Sequence, residues 1–260
     1  MLKGKLVKIS HYSSILNKNI SLLIYLPLIK ENTALPVLYF LHGRNGDENI
    51  LTEVHLDTIA DQMISEGKIN PMIIVCPGIG NSRGMNSRLT TDEVLNSVNR
   101  LYHTGRYEDY LIQELVPYID RSYNTINERK GRYIGGVSAG GFAALHNAFK
   151  HPDLFSKIGG HMPAIDLFFN EEDEPHFTNN ETWEKCDPIR LAATLNYGTD
   201  IKVYLDAGDQ DEGGFYEGCA ILHKTLGSKG IASENHLFSG HHDAEYIKSN
   251  IEKYLAFYGK

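Results

Sequence analysis

A chain of 260 residues, 42% apolar and 22% charged, can bury a substantial core and shows none of the bias of a disordered or fibrous protein. Its formal charge of -8 excludes the basic footprint expected of a partner for nucleic acid or an anionic membrane surface. No uninterrupted apolar run is long enough to cross a bilayer, and Cys76, Cys186 and Cys219 are too widely spaced for a disulfide framework or a zinc pattern, so each is expected as a reduced thiol.

From the amino end, residues 1–10 alternate lysine with apolar residues and lack an export signal's hydrophobic core and cleavage site, which leads to an expected cytoplasmic location. Strands are predicted at 21–26, 37–41, 72–75, 132–137, 201–205 and 235–238, with a further one near Ile158. These runs are short, mostly β-branched or aromatic, and bounded by Pro, Gly or Asn. Between them Leu111, Ile112, Leu115, Val116 and Ile119 form one helical stripe, and Ile247, Ile251, Tyr254, Leu255 and Tyr258 form another that closes the chain. Strands alternating with amphipathic helices imply a mainly parallel sheet covered on both faces, an α/β three-layer sandwich, here read as one catalytic domain over 1–260. Two irregular stretches interrupt it: a polar loop at 77–91 and an acidic segment at 166–186.

Sites in such sheets form at the carboxyl ends of strands. After the strand ending at Val137 comes Gly136-Val137-Ser138-Ala139-Gly140 and then a helical run, which is G-x-S-x-G in its required strand-to-turn-to-helix context. The turn would expose Ser138 Oγ above the sheet at the positive end of the following helix. A nucleophilic serine needs a base and the base an orienting carboxylate, in the order acid then histidine. The strand at 201–205 runs into Asp206-Ala207-Gly208-Asp209-Gln210-Asp211, so Asp211, Asp209 and Asp206 are candidates for the acid. The last strand runs into Ser239-Gly240-His241-His242-Asp243, which offers His242 and His241. Adjacent histidines also suggest a metal, but no Cys or Glu at ligand spacing completes a set. For the oxyanion, one backbone donor is expected from Ala139, the residue after the nucleophile, and a second from the loop Leu41-His42-Gly43-Arg44-Asn45-Gly46, in which His42 is expected to shape the loop by hydrogen bonding.

The chain resembles the esterase D/"putative esterase" family of α/β-hydrolases, which includes S-formylglutathione hydrolases, feruloyl and acetyl xylan esterases, antigen 85-like mycolyltransferases and siderophore trilactone esterases. The resemblance rests on Leu26-Pro27, residues 36–43, Tyr107-Glu108-Asp109-Tyr110-Leu111, residues 114–120, the elbow with His151-Pro152-Asp153-Leu154-Phe155, Gly208 with Asp211, and His242 with Glu245-Tyr246. A glycine three residues before the acid selects Asp211, an aromatic four residues after the histidine selects His242, and the residue after the His-Gly pair, Arg44, supplies the second oxyanion amide. The family's usual methionine after the nucleophile is here Ala139, and its common tryptophan after the final-loop tyrosine is Ile247.

The resemblance implies a serine carboxylesterase acting on small acyl, acetylated-sugar or feruloyl-type esters, without metal or organic cofactor. An acyltransferase or trilactone esterase is the alternative, and a catalytically silent binding protein of the same fold is the non-enzymatic one. The expected partner is a small-molecule ester, with no nucleic acid or membrane, and homo-oligomerisation is left open. The segment 166–186, with Leu167, Phe168, Phe169 and Trp183 beside Glu171, Glu172, Asp173 and Glu174, is read either as a small lid with an aromatic face and acidic rim or as a solvated connection. Arg83 and Arg88, on the earlier polar loop, are read either as ligands for a carboxylate or sugar hydroxyls or, by preference, as surface residues.

Overall fold

A computed structural model describes residues 4–29 and 33–260; the first three residues of the 1–10 stretch lie outside it. The chain opens with an antiparallel pair, β1 (Lys5–Ser13) and β2 (Lys18–Leu26), turned at Asn17, whose φ of 51° is left-handed. Next come β3 (Val37–Leu41), α1 (Ile50–Glu53), α2 (Leu56–Ser65) and β4 (Ile73–Pro77). A small hairpin, β5 (Asp92–Leu95) with β6 (Leu101–Thr104), stands apart from the main sheet. A helical stretch then runs through α3 (Tyr107–Asp109), a π turn at Tyr110–Leu115 and α4 (Val116–Ser122). It is followed by β7 (Arg132–Val137), α5 (Ala139–Lys150), β8 (Lys157–His161), α6 (Asn180–Cys186), α7 (Pro188–Thr194), β9 (Lys202–Gly208), α8 (Phe215–Ser228), β10 (Ala232–Phe238) and α9 (Ala244–Gly259).

Eight strands form one sheet in the order β1-β2-β4-β3-β7-β8-β9-β10, antiparallel at β1/β2 and β2/β4 and parallel from β4 onward. The parallel strands β3 and β4 are buried along their whole length, which is why they read as unbroken apolar runs rather than alternating ones. One face packs Tyr39, Leu41 and Ile134 against the stretch from α3 to α4 and against α5, α7 and α8; the other packs Leu38, Phe40 and Val137 against α1, α2 and α9. This is the α/β-hydrolase three-layer arrangement, with the carboxyl ends of β3, β7, β9 and β10 all at one rim. Among the described residues no helix is long and apolar enough to cross a membrane.

Candidate active site

The elbow begins in backbone geometry. Ser138 sits at φ 53°, ψ -118°, a conformation that costs a non-glycine residue about 1–3 kcal/mol and persists only where its surroundings over-determine it. They do so here: Ser138 N donates to His161 O at 3.0 Å, and Ala164 N donates to Ser138 O at 3.0 Å. The helix that follows packs so close to β3 that a Cβ on Gly140 would lie 2.2 Å from the Leu41 carbonyl oxygen, so the motif's last glycine is a steric requirement.

Three strand ends converge on this serine. His242 Nε2 lies 2.9 Å from Ser138 Oγ, and His242 Nδ1 lies 2.8 Å from Asp211 Oδ2. The other Asp211 oxygen accepts from Gly213 N at 2.8 Å, so the buried carboxylate is held on both sides. Phe215, on α8, meets the His242 ring edge-to-face at a centroid distance of 5.2 Å. The loops carrying acid and histidine meet too closely for a side chain at Gly208, where a Cβ would lie 2.2 Å from Gly240 O.

The other candidates point elsewhere. His241 turns outward, its Nδ1 2.7 Å from Glu212 Oε1, and that hydrogen bond and charge raise its pKa. Asp209 Oδ1 accepts from Gly240 N at 3.0 Å, bracing the histidine loop. Asp206 is fully buried on the tyrosines of α9 and on His161.

The loop after β3 is locked from below. His42 is buried, its Nδ1 2.8 Å from Gly43 O while its Nε2 accepts from Ile79 N at 3.1 Å; burial pushes its pKa down, which keeps the ring neutral. Asn81 clamps the same loop, accepting from Asn45 N at 2.7 Å and donating to Asn45 Oδ1 at 2.9 Å. A Cβ on Gly43 would touch Ser138 Cβ at 3.4 Å, so the loop lies directly against the serine. A cavity of about 340 Å³ opens there, lined by Gly43, Arg44, Ser138 and His242 together with the apolar Ile50, Val54, Met162 and Ile247. Among the described residues no group of three or more His, Cys, Asp or Glu side chains is placed to hold a metal ion.

Arg83 contradicts the surface expectation. It is 5% exposed, at φ 51°, with Nη2 2.6 Å from Asp173 Oδ2 and its guanidinium over the rings of Phe142 and Phe177. The segment 166–186 is accordingly more than a solvated connection: Asp173, Phe177 and Trp183 are buried, whereas Phe168 is 81% exposed, so the expected aromatics do not share one face. Arg88 is exposed, as expected. Sequence reasoning missed Asn81, His161 and the binding role of Asp173, because each works through a partner more than 30 residues away along the chain.

Comparison with known proteins agrees with this architecture. The Esterase family model, described as "Putative esterase", matches residues 13–258. An esterase of Mycobacterium tuberculosis is 32% identical over 132 residues, covering 51% of this chain and 26% of its own length. The endo-1,4-beta-xylanase/feruloyl esterase of Xylanibacter ruminicola is 28% identical over 163 residues, covering 60% of this chain and 21% of its own. The matched stretches thus span only about a quarter of those relatives. Among solved structures, a ferulic acid esterase superposes with a TM-score of 0.81 at 22% identity over 98% of both chains, which speaks to the fold. The chain belongs to the Esterase family.

Proposed function

We propose that the protein is a serine carboxylesterase working through an acyl-enzyme, with Ser138 as nucleophile, His242 as general base and acid, and Asp211 as the orienting carboxylate. The observation that carries this reading is the unbroken line Ser138 Oγ–His242 Nε2 at 2.9 Å and His242 Nδ1–Asp211 Oδ2 at 2.8 Å. Neutral His242 takes the Ser138 proton as Oγ attacks the ester carbonyl, then returns it to the leaving alcohol; water repeats the sequence on the acyl-enzyme. The backbone amides of Arg44 and Ala139 receive the oxyanion: the Ala139 amide is among the free N–H groups at the start of α5, and Arg44 stands on the loop that touches Ser138.

Small acyl, acetylated-sugar or feruloyl-type esters are the substrate class this reading favours. Relatives that carry feruloyl esterase in their names support it, as does the apolar side of the cavity beside Ser138. The test is steady-state hydrolysis of p-nitrophenyl acetate, p-nitrophenyl butyrate, an acetylated xylo-oligosaccharide and methyl ferulate. Turnover of at least one that disappears in Ser138→Ala supports the reading; a folded wild type that turns over none contradicts it.

A further inference from the structure

A second carboxylate–imidazole pair lies beneath the first and is not used by the acyl-transfer steps. Asp206 on β9 and His161 at the end of β8 are both 0% exposed. Asp206 Oδ1 lies 2.9 Å from His161 Nδ1, and Oδ2 accepts from the hydroxyls of Tyr246 and Tyr254 at 2.8 Å each. A carboxylate taken this far from water is tolerated only when its lone pairs are met, and three donors meet them here. Apolar residues could fill the same volume without that cost, so the cluster's connections decide what it contributes.

Those connections run to both reacting groups. On one side His161 O accepts from Ser138 N at 3.0 Å, and Asp206 O accepts from Met162 N at 2.7 Å, so the pair is tied to the backbone that shapes the elbow. On the other side Tyr246 stands four residues after His242, its N–H held by Asp243 Oδ1 at 2.9 Å. Its ring lies under the histidine loop, where a Cβ on Gly240 would come within 2.8 Å of Tyr246 Cδ2. Tyr246 is therefore a strut from the loop bearing His242 down to Asp206, and His161 completes the path back to Ser138.

We propose that Asp206 is a positioning residue that sets the approach of His242 to Ser138, acting through Tyr246 on one side and His161 on the other. The proposal rests on the reading of Ser138 and His242 as nucleophile and base. It is tested with p-nitrophenyl butyrate on Tyr246→Phe, Asp206→Asn and the double variant, each rate being expressed per site titrated by exhaustive fluorophosphonate labelling so that misfolded protein is not counted. Tyr246→Phe removes one hydroxyl, and misplacing a base by a fraction of an ångström is expected to lower kcat about ten- to a hundredfold. KM should stay within about twofold, because the loss falls on the transition state. The double variant should be no worse than the poorer single one, since both break the same connection. Wild-type kcat per titrated site in Tyr246→Phe, whatever its thermal stability, or losses that multiply in the double variant, would overturn the proposal. If Asp206→Asn does not fold, Tyr246→Phe decides alone. A wild type that takes no label overturns the serine hydrolase reading, and this proposal with it.

Discussion

At His42 both edges of the ring are in use. Because Ile79 N–H donates to Nε2, the proton must sit on Nδ1, which then donates to Gly43 O. Gly43 O belongs to the same planar peptide as Arg44 N–H, and in a trans peptide the two point in opposite directions, so pinning the carbonyl aims the amide. Gly46 N adds a second donor to that carbonyl at 3.1 Å. Replacing His42 with Ala should therefore lower kcat on p-nitrophenyl acetate by about a hundredfold with little change in KM, the scale of losing one oxyanion donor. At the acid position, Asp211→Asn should reduce kcat by roughly 10³–10⁴, because the amide favours the wrong imidazole tautomer. Asp209→Asn, which alters the brace to Gly240 and a long contact from Gln210 Nε2 but no contact to His242, should cost less than about tenfold. Equal losses at the two positions would contradict the assignment. Ser138 was legible from its strand-to-helix motif, whereas the strand-end loops left Asp206, Asp209 and Asp211, and His241 and His242, as candidates, and the family resemblance singled out Asp211 and His242. Asp206 was legible as a carboxylate but not as a buried one, since burial depends on Tyr246 and Tyr254 arriving from the far end of the chain.

Among the elements, the segment 166–186 and the loop 77–84 form a unit that neither shows alone. Arg83 and Asp173 are buried together, Tyr102 OH donates to Asp173 Oδ1 at 3.0 Å, and His176 Nε2 lies 2.9 Å from Asn81 O, the residue that clamps Asn45. Removing Arg83 leaves buried Asp173 with only Tyr102 OH and a longer Arg44 contact at 3.6 Å and takes the partner from Asp166, so Arg83→Met should destabilise the protein by about 3 kcal/mol, read by denaturant unfolding. Arg88→Ala, at an exposed position, should change stability by less than about 0.5 kcal/mol. If the two substitutions are equivalent, the latch between these segments contributes nothing. The central parallel strands were readable as apolar runs, but β1 was not, because its burial alternates irregularly along a sheet edge. The hairpin β5–β6 was also hidden, since Asp92–Leu95 is largely exposed and carries little hydrophobic pattern. In the helical stripe predicted from Leu111 to Ile119, Pro117 cannot donate backward, and a π turn immediately precedes α4.

For the whole molecule, the histidines that hold the site from behind also set its response to acid. Burial, followed by the charge of Arg83, pushes His176 down to about 3 from the ordinary 6.5, and burial lowers His42 in the same direction. A folded pKa below the unfolded value means that the unfolded chain binds more protons in the interval between them. Stability is therefore fully present above about pH 6.5 and is lost as pH falls toward 3. Tm should decline between pH 6 and 4, and decline less steeply in His176→Gln; an unchanged slope in that variant would show that His176 is not the group responsible. The main sheet brings the loops bearing Ser138, Asp211 and His242 to one rim, and the assignment stands or falls on that convergence. The most direct measurement is labelling by a fluorophosphonate probe, with p-nitrophenyl butyrate turnover followed in parallel, on wild type and Ser138→Ala. One label per wild-type chain is expected, and neither label nor turnover in the folded variant. Label retained by Ser138→Ala, or a folded wild type that is neither labelled nor active, would contradict it.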